Sequence, residues 1–538
     1  MSTIISLIVK WRYMRQVLIG AGAVMLTVFL YGNNLHAQWG CIDDHVIAQV
    51  LGSDHVMHFS EWWPELMKTE VGRPGRDLRC RPAYLAIYIV ETVLWGDSPW
   101  LWYLARLIYI SVSLALAWEL LSQWLGLWGG ALVAAWIVTY RYWFDIYCRL
   151  GPAEIYAVMG FVLFMYGFVA ISRRSSLSRA KSAVAWMLVC AGSLICIGSK
   201  ENFSVLLPGV WVAAWFAWRR RGLRMGVITG VGVVTALTLF IVCAVGVAVS
   251  TGGGDMYAKS VAPSARLSLL GLGSHDLWRA TWWHMERWQV AGGLIASLAA
   301  VWACIRLRKI PVYVLQAGLA VTGLALFYVL QFVFYNGELP GDCRYDFPGM
   351  IVVPLIWATV GWMLVRIADE TSVQVVRLAV RVTMACAILL IVVSNQKMPQ
   401  IRAECLWNVS STRRFTTQMQ DFAMQLKADA ERPLTLLIRD AKDYEKIDAV
   451  VRFLRFYGVT NDIFLECCGK GQSFLHSALE GYLKKNMQTR SLEGESGLLM
   501  PLRLRSGSGY VIELSAGLQT RAKSLGFVQW FDDDTGAK

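Results

Sequence analysis

The chain has 538 residues, 56% hydrophobic and only 17% charged. That balance excludes an ordinary soluble domain or a disordered chain and fits a protein that crosses a membrane many times. The formal net charge of +13 reads as the positive-inside bias of cytoplasmic loops plus a site for an anionic substrate, and not as a nucleic-acid surface.

The first apolar run, Val17 to Leu30, follows Lys10, Arg12 and Arg15. These basic residues put the N-terminus in the cytoplasm and make about 16–32 an uncleaved first span. A first external loop of about 33–100 opens on Cys41-Ile42-Asp43-Asp44-His45 and runs through Arg73, Arg76 and Arg79 to Arg81-Pro82. Residues 83–95 are apolar but shorter than the ~20 residues a span needs, and they read as an interfacial helix. Further spans are expected at about 101–121, 125–141, 152–171, 183–199, 203–218, 225–248, 289–305, 311–335, 349–366 and 378–394. Basic clusters at Arg173–Arg174, Arg219–Arg221 and Arg306–Lys309 then fall on alternate connections, which gives roughly eleven spans with the N-terminus inside and the C-terminus outside. The 25 tryptophans suit the membrane interfaces of such a bundle.

From about 395 to 538 the long apolar runs stop. Pro433–Arg439 reads as a strand, Lys442–Tyr457 as a helix ending at Gly458, Asp462–Cys467 as a strand, Ser473–Lys485 as a helix and Tyr510–Leu514 as a strand. The expected fold is a polytopic α-helical membrane protein: a transmembrane domain over 1–394 and a small extracytoplasmic α/β domain over 395–538. The topology puts all seven histidines and most isolated acids outside, so any chemistry is expected there. The 12 cysteines form no CxxC framework. Cys190, Cys196, Cys243, Cys304 and Cys386 read as small buried hydrophobes. Cys41 and Cys80 share the first loop, but spacing alone does not establish a disulfide.

Asp43 and Asp44 are the sharpest feature, because two adjacent carboxylates at a membrane boundary need solvation or a task. An alcohol becomes a good nucleophile when a positioned carboxylate takes its proton. The competing reading is an N-cap for a helix beginning at His45. Arg81, directly before the interfacial helix, is placed to meet a lipid phosphate with a bidentate fork. Arg344-Tyr345, between the expected spans at 311–335 and 349–366, is a second phosphate candidate. Glu154, at an external helix start, is either a dipole-complementing acid or a substrate-pocket acid, Asp145 is similar, and His45 reads as a pocket residue. So do Lys200 and Glu201, which are also close enough in sequence to pair with each other. The histidines show no metal spacing, and Asp43, Asp44 and His45 are adjacent residues that rarely converge on one ion. No metal site is therefore expected, and a divalent cation stays a secondary option.

Together, Asp43-Asp44 in the first loop, Arg81-Pro82 before an interfacial helix, Gly151-Pro152-Ala153-Glu154, Ser199-Lys200-Glu201 and Cys343-Arg344-Tyr345 resemble the GT-C superfamily. Protein O-mannosyltransferases and lipid A aminoarabinose transferases are the nearest in style. The resemblance covers about 1–394. It implies a multi-pass enzyme of the bacterial inner membrane that takes a sugar from a polyprenyl-phosphate donor to an envelope lipid, glycan or protein hydroxyl. It also implies Asp43 as base, with Asp44 as the alternative, and a phosphate held by basic residues. Where the family has Pro-Pro-Leu, this chain has Arg-Pro-Ala-Tyr. A transporter or flippase of lipid-linked sugars is the alternative from another class, and it predicts charges and helix breaks at mid-span. An O-antigen polymerase or ligase, which depends on large late loops, is the other alternative.

Overall fold

The computed structural model describes residues 2–75, 79–140, 143–172, 178–250, 268–283, 310–331, 347–370, 374–395, 397–438, 444–467, 488–489, 504–506 and 510–514. Among them, seven helices are long and apolar enough to cross a membrane: Tyr13–His36, Pro99–Val138, Glu154–Ser172, Arg179–Ser199, Arg224–Ala248, Val312–Gln331 and Ile351–Asp369. The helix Leu207–Arg221 has only 15 residues, and Gln374–Asn395 carries Arg377 and Arg381 on an otherwise apolar helix. The expected span at 289–305 and the basic cluster after it lie outside the described residues. Residues 83–95 form a separate short helix, Pro82–Trp95.

The 40-residue helix Pro99–Val138 is broken at Gly126 (φ 75°, ψ 169°), a backbone open to glycine and strained for other residues. The chain reverses there. A Cβ on Gly130 would meet the backbone nitrogen of Ser122 at 2.6 Å, and Trp118 Nε1 donates to the Leu127 carbonyl across the turn at 3.0 Å. The two arms are the pair of short spans expected here. At the arms' turn, Arg15 of the first helix pairs with Glu119 at 3.0 Å. The helices Glu154–Ser172 and Arg179–Ser199 pack closely because Gly160 and Gly192 face each other: a Cβ on Gly160 would lie 2.6 Å from Cys196 N. Small residues allow such approach in membranes.

The tail begins with a 30-residue helix, Met398–Lys427, which lies along the end of the first span. Its Asn408 donates to Asn34 Oδ1 (3.2 Å) and Tyr103 Oη (3.3 Å). Thr412 Oγ1 accepts from Gln38 N–H (3.0 Å), Arg413 Nε donates to the His36 carbonyl (3.0 Å), and Thr416 Oγ1 donates to the Trp39 carbonyl (3.2 Å). A five-stranded sheet follows, in the order β3-β2-β1-β5-β4. The strands are β1 Leu434–Ile438, β2 Ile463–Cys467, β3 Gln488–Thr489, β4 Leu504–Ser506 and β5 Tyr510–Leu514. Central β1 runs parallel to β2 (Leu434 opposite Ile463) and to β5 (Leu434 opposite Tyr510), and β4 closes the edge antiparallel to β5. The helix Tyr444–Phe456 links β1 to β2. The expected helix 473–485 lies outside the described residues.

One apolar core joins the tail to the first loop. Phe453, Leu454 and Phe456 pack with Phe415, Met419 and Phe422, and with Trp39, Ile47 and Leu51. Burying such side chains stabilises by about 1.5–3 kcal/mol each, so the first loop is built on the tail. Of the cysteines expected to be buried, Cys196 is buried and Cys190 half-buried. Cys243 and Cys386 are exposed on helix faces, where lipid would solvate them as well as a protein core. Cys304 lies outside the described residues.

Candidate active site at the end of the first span

After the first helix, Gly32–His36 makes a 3-10 turn, and an extended stretch brings the chain to Asp43. Asp43 adopts a left-handed backbone (φ 73°), which Asp and Asn tolerate better than other side chains. Its side chain rests on the backbone of Gly151, and any Cβ at that glycine would overlap Asp43 Cβ and Cγ. Two tyrosines of the Pro82–Trp95 helix fix this contact. Tyr84 Oη donates to the Gly151 carbonyl at 2.8 Å, and Tyr88 Oη donates to the Asp43 carbonyl at 3.5 Å.

Asp44 does a different job. Its backbone carbonyl accepts the N–H groups of Ile47 (3.0 Å) and Ala48 (3.2 Å) and so opens the helix His45–Leu51. Its carboxylate does not cap that helix but turns back to accept the Gly40 N–H at 2.6 Å. The residue is only 2% exposed. Burial pushes the Asp44 carboxyl up to about 8, against the Gly40 N–H and with help from the Asp43 charge. Asp44 is therefore mostly protonated at neutral pH. A folded value raised above the unfolded one contributes stability that is complete below about 4 and is lost as pH rises through about 8. One proton's worth of linkage is about 1.4 kcal/mol per pH unit within that window. The unfolding midpoint of the detergent-solubilised protein is thus expected to fall between pH 5 and pH 8. Asp44→Asn should flatten that slope, and a slope of equal size in the variant would show that other groups set it.

Beside the acids lies a layer of crossed ion pairs. Arg81 presents Nε to Glu201 Oε2 at 3.1 Å and Nη2 to Oε1 at 3.5 Å, while its backbone N–H meets Glu70 Oε1 at 2.5 Å. Burial alone would raise Glu201, but the Arg81 charge and hydrogen bonds bring it below its ordinary value. Burial raises Glu70, opposed by Arg81 and aided by the nearby Glu201 charge. Lys200 Nζ pairs instead with Glu154 Oε1 at 2.5 Å, both side chains buried. Lys200 and Glu201 thus do not pair with each other. Lys200 is extended (φ −150°, ψ 117°) and Glu201 starts a 3-10 turn, so the neighbours face different partners.

A third set was not anticipated. Glu91 of the short helix and Arg106 of the long one form a buried pair at 3.1 Å, with side-chain exposures of 3% and 1%. Arg106 also donates to Tyr156 Oη (2.7 Å) and the Leu150 carbonyl (3.0 Å), and Glu91 accepts from Tyr109 Oη (2.6 Å) and from Tyr156 Oη. The Arg106 guanidinium lies 4.9 Å from the Tyr156 ring centre. Tyr84 sits among all three sets: its ring centre is 5.4 Å from that of Tyr88 and 5.9 Å from that of Tyr156. Burial, then the Asp43 charge, pushes its hydroxyl up, while Arg81 and Arg106 act the other way. The clue in the sequence was a lone acid in one apolar helix and a lone base in the next, joined only by Gly96-Asp97-Ser98.

The structure therefore gathers Asp43, Asp44, Arg81, Glu154, Lys200 and Glu201 around Tyr84. Two expected pocket residues, His45 and Asp145, take partners outside this set, although the charge of Arg149, the partner of Asp145, still acts on Asp44. His45 turns to Asp448 of the tail helix (3.4 Å), which Arg452 also holds at 2.6 Å. The tail core draws its ring away, so Asp43, Asp44 and His45 do not converge on one point. Asp145, on the short helix Trp143–Tyr147, pairs with Arg149 one turn on at 3.3 Å. Arg344 and Tyr345 lie outside the described residues. Among the described residues no group of three or more His, Cys, Asp or Glu side chains could hold a metal ion. Cys80 is a buried free thiol, so it makes no disulfide with Cys41, and burial, then the Glu70 and Glu201 charges, pushes the Cys80 thiol up to about 12.

Below the charged layer, an apolar groove with an empty volume of about 850 Å³ is lined by Ile110, Leu114, Trp124, Phe161, Met165 and Leu355, among others. Its rim begins one helical turn from the charges, since Ile110 follows Arg106 and Val158 follows Glu154 by four residues.

No family model matches the sequence, and no curated protein matches it. Two solved structures are distantly similar. One is "ArnT from Cupriavidus metallidurans bound to Undecaprenyl phosphate", 13% identical, covering 88% of this chain and 91% of that one, with a TM-score of 0.41. The other is the same protein in the apo state, with equal identity and coverage and a TM-score of 0.43.

Proposed function

We propose that this chain is an integral-membrane glycosyltransferase that moves a sugar from a polyprenyl-phosphate carrier to a hydroxyl of an envelope acceptor on the external face of the bacterial inner membrane. The observation that carries this reading is the position of Asp43, which follows the first span and rests on Gly151 beside Tyr84, a residue that the Arg81 charge also reaches, with an apolar groove one helical turn below the charged layer. A lipid-linked sugar phosphate needs that sequence of surroundings: an apolar channel for the chain, cations for the phosphate, and a base at the water side.

In this reading Asp43 takes the proton of the acceptor hydroxyl as its oxygen bonds to the anomeric carbon. The bond from that carbon to the phosphate oxygen breaks, and polyprenyl phosphate leaves with inversion at the carbon. The Arg81 guanidinium and Lys200 ammonium meet the phosphate's charge, and Arg81 offers the planar fork that suits it. Asp44, protonated, does not compete as base and instead holds the Gly40 turn. A transporter would place its charges at mid-span. Here Arg15–Glu119 lies at the hairpin turn and the other buried pairs gather with Asp43, which favours an enzyme working at one surface.

The test compares envelope lipids and glycans by mass spectrometry in a strain lacking the gene and in its parent. The expected result is loss of one sugar from an envelope acceptor with accumulation of a polyprenyl-phosphate-linked sugar. Indistinguishable envelopes would overturn the reading.

A further inference from the structure

Two thiols from distant parts of the chain meet behind the site. Cys148 directly follows the helix Trp143–Tyr147, and Cys405 lies early in the helix Met398–Lys427. Their sulfurs are 3.2 Å apart across 257 positions of sequence, closer than the ~3.5–4.0 Å at which even two carbons rest. Both residues are buried, and Cys405 Sγ also donates to the Leu30 carbonyl at 3.4 Å. Unlike Cys41 and Cys80, which share a loop, these two sit on elements that the fold must bring together.

We propose that Cys148 and Cys405 form a disulfide in the mature protein, clasping the tail's first helix to the membrane domain. In the proposed topology both lie on the external side, where thiols are oxidised and disulfides persist. The oxidant is a protein disulfide delivered by a thiol–disulfide oxidoreductase. One cysteine thiolate attacks it, forming a mixed disulfide and releasing one oxidoreductase thiolate. The second cysteine thiolate then attacks the mixed disulfide and releases the other. Two S–H groups of this chain become one S–S bond, and the oxidant's S–S becomes two S–H groups. Because both sulfurs are buried, the exchange precedes docking of the helix.

The clasp has a mechanical consequence. The helix it secures backs residues 34–39 through Asn408, Thr412, Arg413 and Thr416. The next residue, Gly40, holds Asp44. The bond therefore fixes the support from which the acid pair projects.

The experiment uses the full-length protein solubilised from bacterial membranes. It is denatured without reductant in N-ethylmaleimide, digested and mapped by mass spectrometry. The expected product is a linked pair of peptides carrying Cys148 and Cys405, two hydrogens lighter than the separate thiol peptides and absent after phosphine treatment. Recovery of both cysteines as maleimide adducts, or either one linked to another cysteine, overturns the clasp. A second arm compares unfolding midpoints: reductant should lower that of the wild-type chain and leave Cys148→Ala/Cys405→Ala unmoved. An unmoved wild-type midpoint would also overturn it. The inference rests on the proposed sidedness but not on transfer. A reduced pair in a strain whose glycan phenotype is present removes the clasp alone.

Discussion

Asp43→Asn is expected to lower sugar transfer by ~10²–10⁴-fold, the usual contribution of a positioned general base. Asn is the informative replacement because it keeps the size of the side chain and tolerates the left-handed backbone that Asp43 adopts (φ 73°). The variant should insert and bind the polyprenyl-linked donor as the parent does, yet fail to pass the sugar on. Asp44→Asn is the matched control. Its amide oxygen can still accept the Gly40 N–H, and a residue already protonated at neutral pH loses little by becoming an amide, so activity should stay near that of the parent. Transfer assays on membranes with extracted donor, beside measured donor binding, separate the two. Full activity of Asp43→Asn would remove the base assignment, and inactivity of Asp44→Asn alone would move it one residue along the chain.

The second large effect is on stability. Arg106→Met leaves Glu91 buried and without its cation, and breaking a buried pair in this way costs about 3–5 kcal/mol. Glu91→Gln should cost less, because the amide oxygen can still accept from Tyr109 and Arg106. The double variant Arg106→Met/Glu91→Leu should recover part of the loss but not all, since Tyr156 and Tyr109 would keep hydroxyls with no partner. Thermal unfolding of the parent, Arg106→Met, Glu91→Leu and the double variant in one detergent measures the cycle, with Glu91→Gln beside it. If the single and double losses simply add, the two residues are not coupled.

Hydropathy made much of the membrane part legible, because a lipid-crossing helix is written in consecutive residues. The reversal at Gly126 showed as glycines between two short apolar runs. The strands Leu434–Ile438, Ile463–Cys467 and Tyr510–Leu514 fall within runs whose patterning pointed to strands. The acids of the first loop stood out because nothing nearby excused them. What stayed hidden was partnership. Arg81 finds Glu201 across 120 positions, and Lys200 finds Glu154 across 46. Neighbours in sequence looked like a pair until the 3-10 turn separated them. His45 looked like a member of the acid group, but an apolar core drew it toward the tail. Glu91 was masked by its apolar neighbours, which set the character of that segment when residues are averaged.

The helix Met398–Lys427 also bears on where this protein can be cut. A chain ending at residue 394 would keep every expected membrane crossing. It would also strip the Gln38 amide and the His36 and Trp39 carbonyls of their partners and lay bare the apolar side chains of Trp39, Ile47 and Leu51. The shortest trimmed form that still covers these side chains therefore runs past the amphipathic rod ending at Lys427 and through the helix Tyr444–Phe456, which supplies Asp448 to His45 and Phe453, Leu454 and Phe456 to the shared core. Trimming for crystallisation or expression has to respect that hidden seam, whatever the lipid-facing half would tolerate.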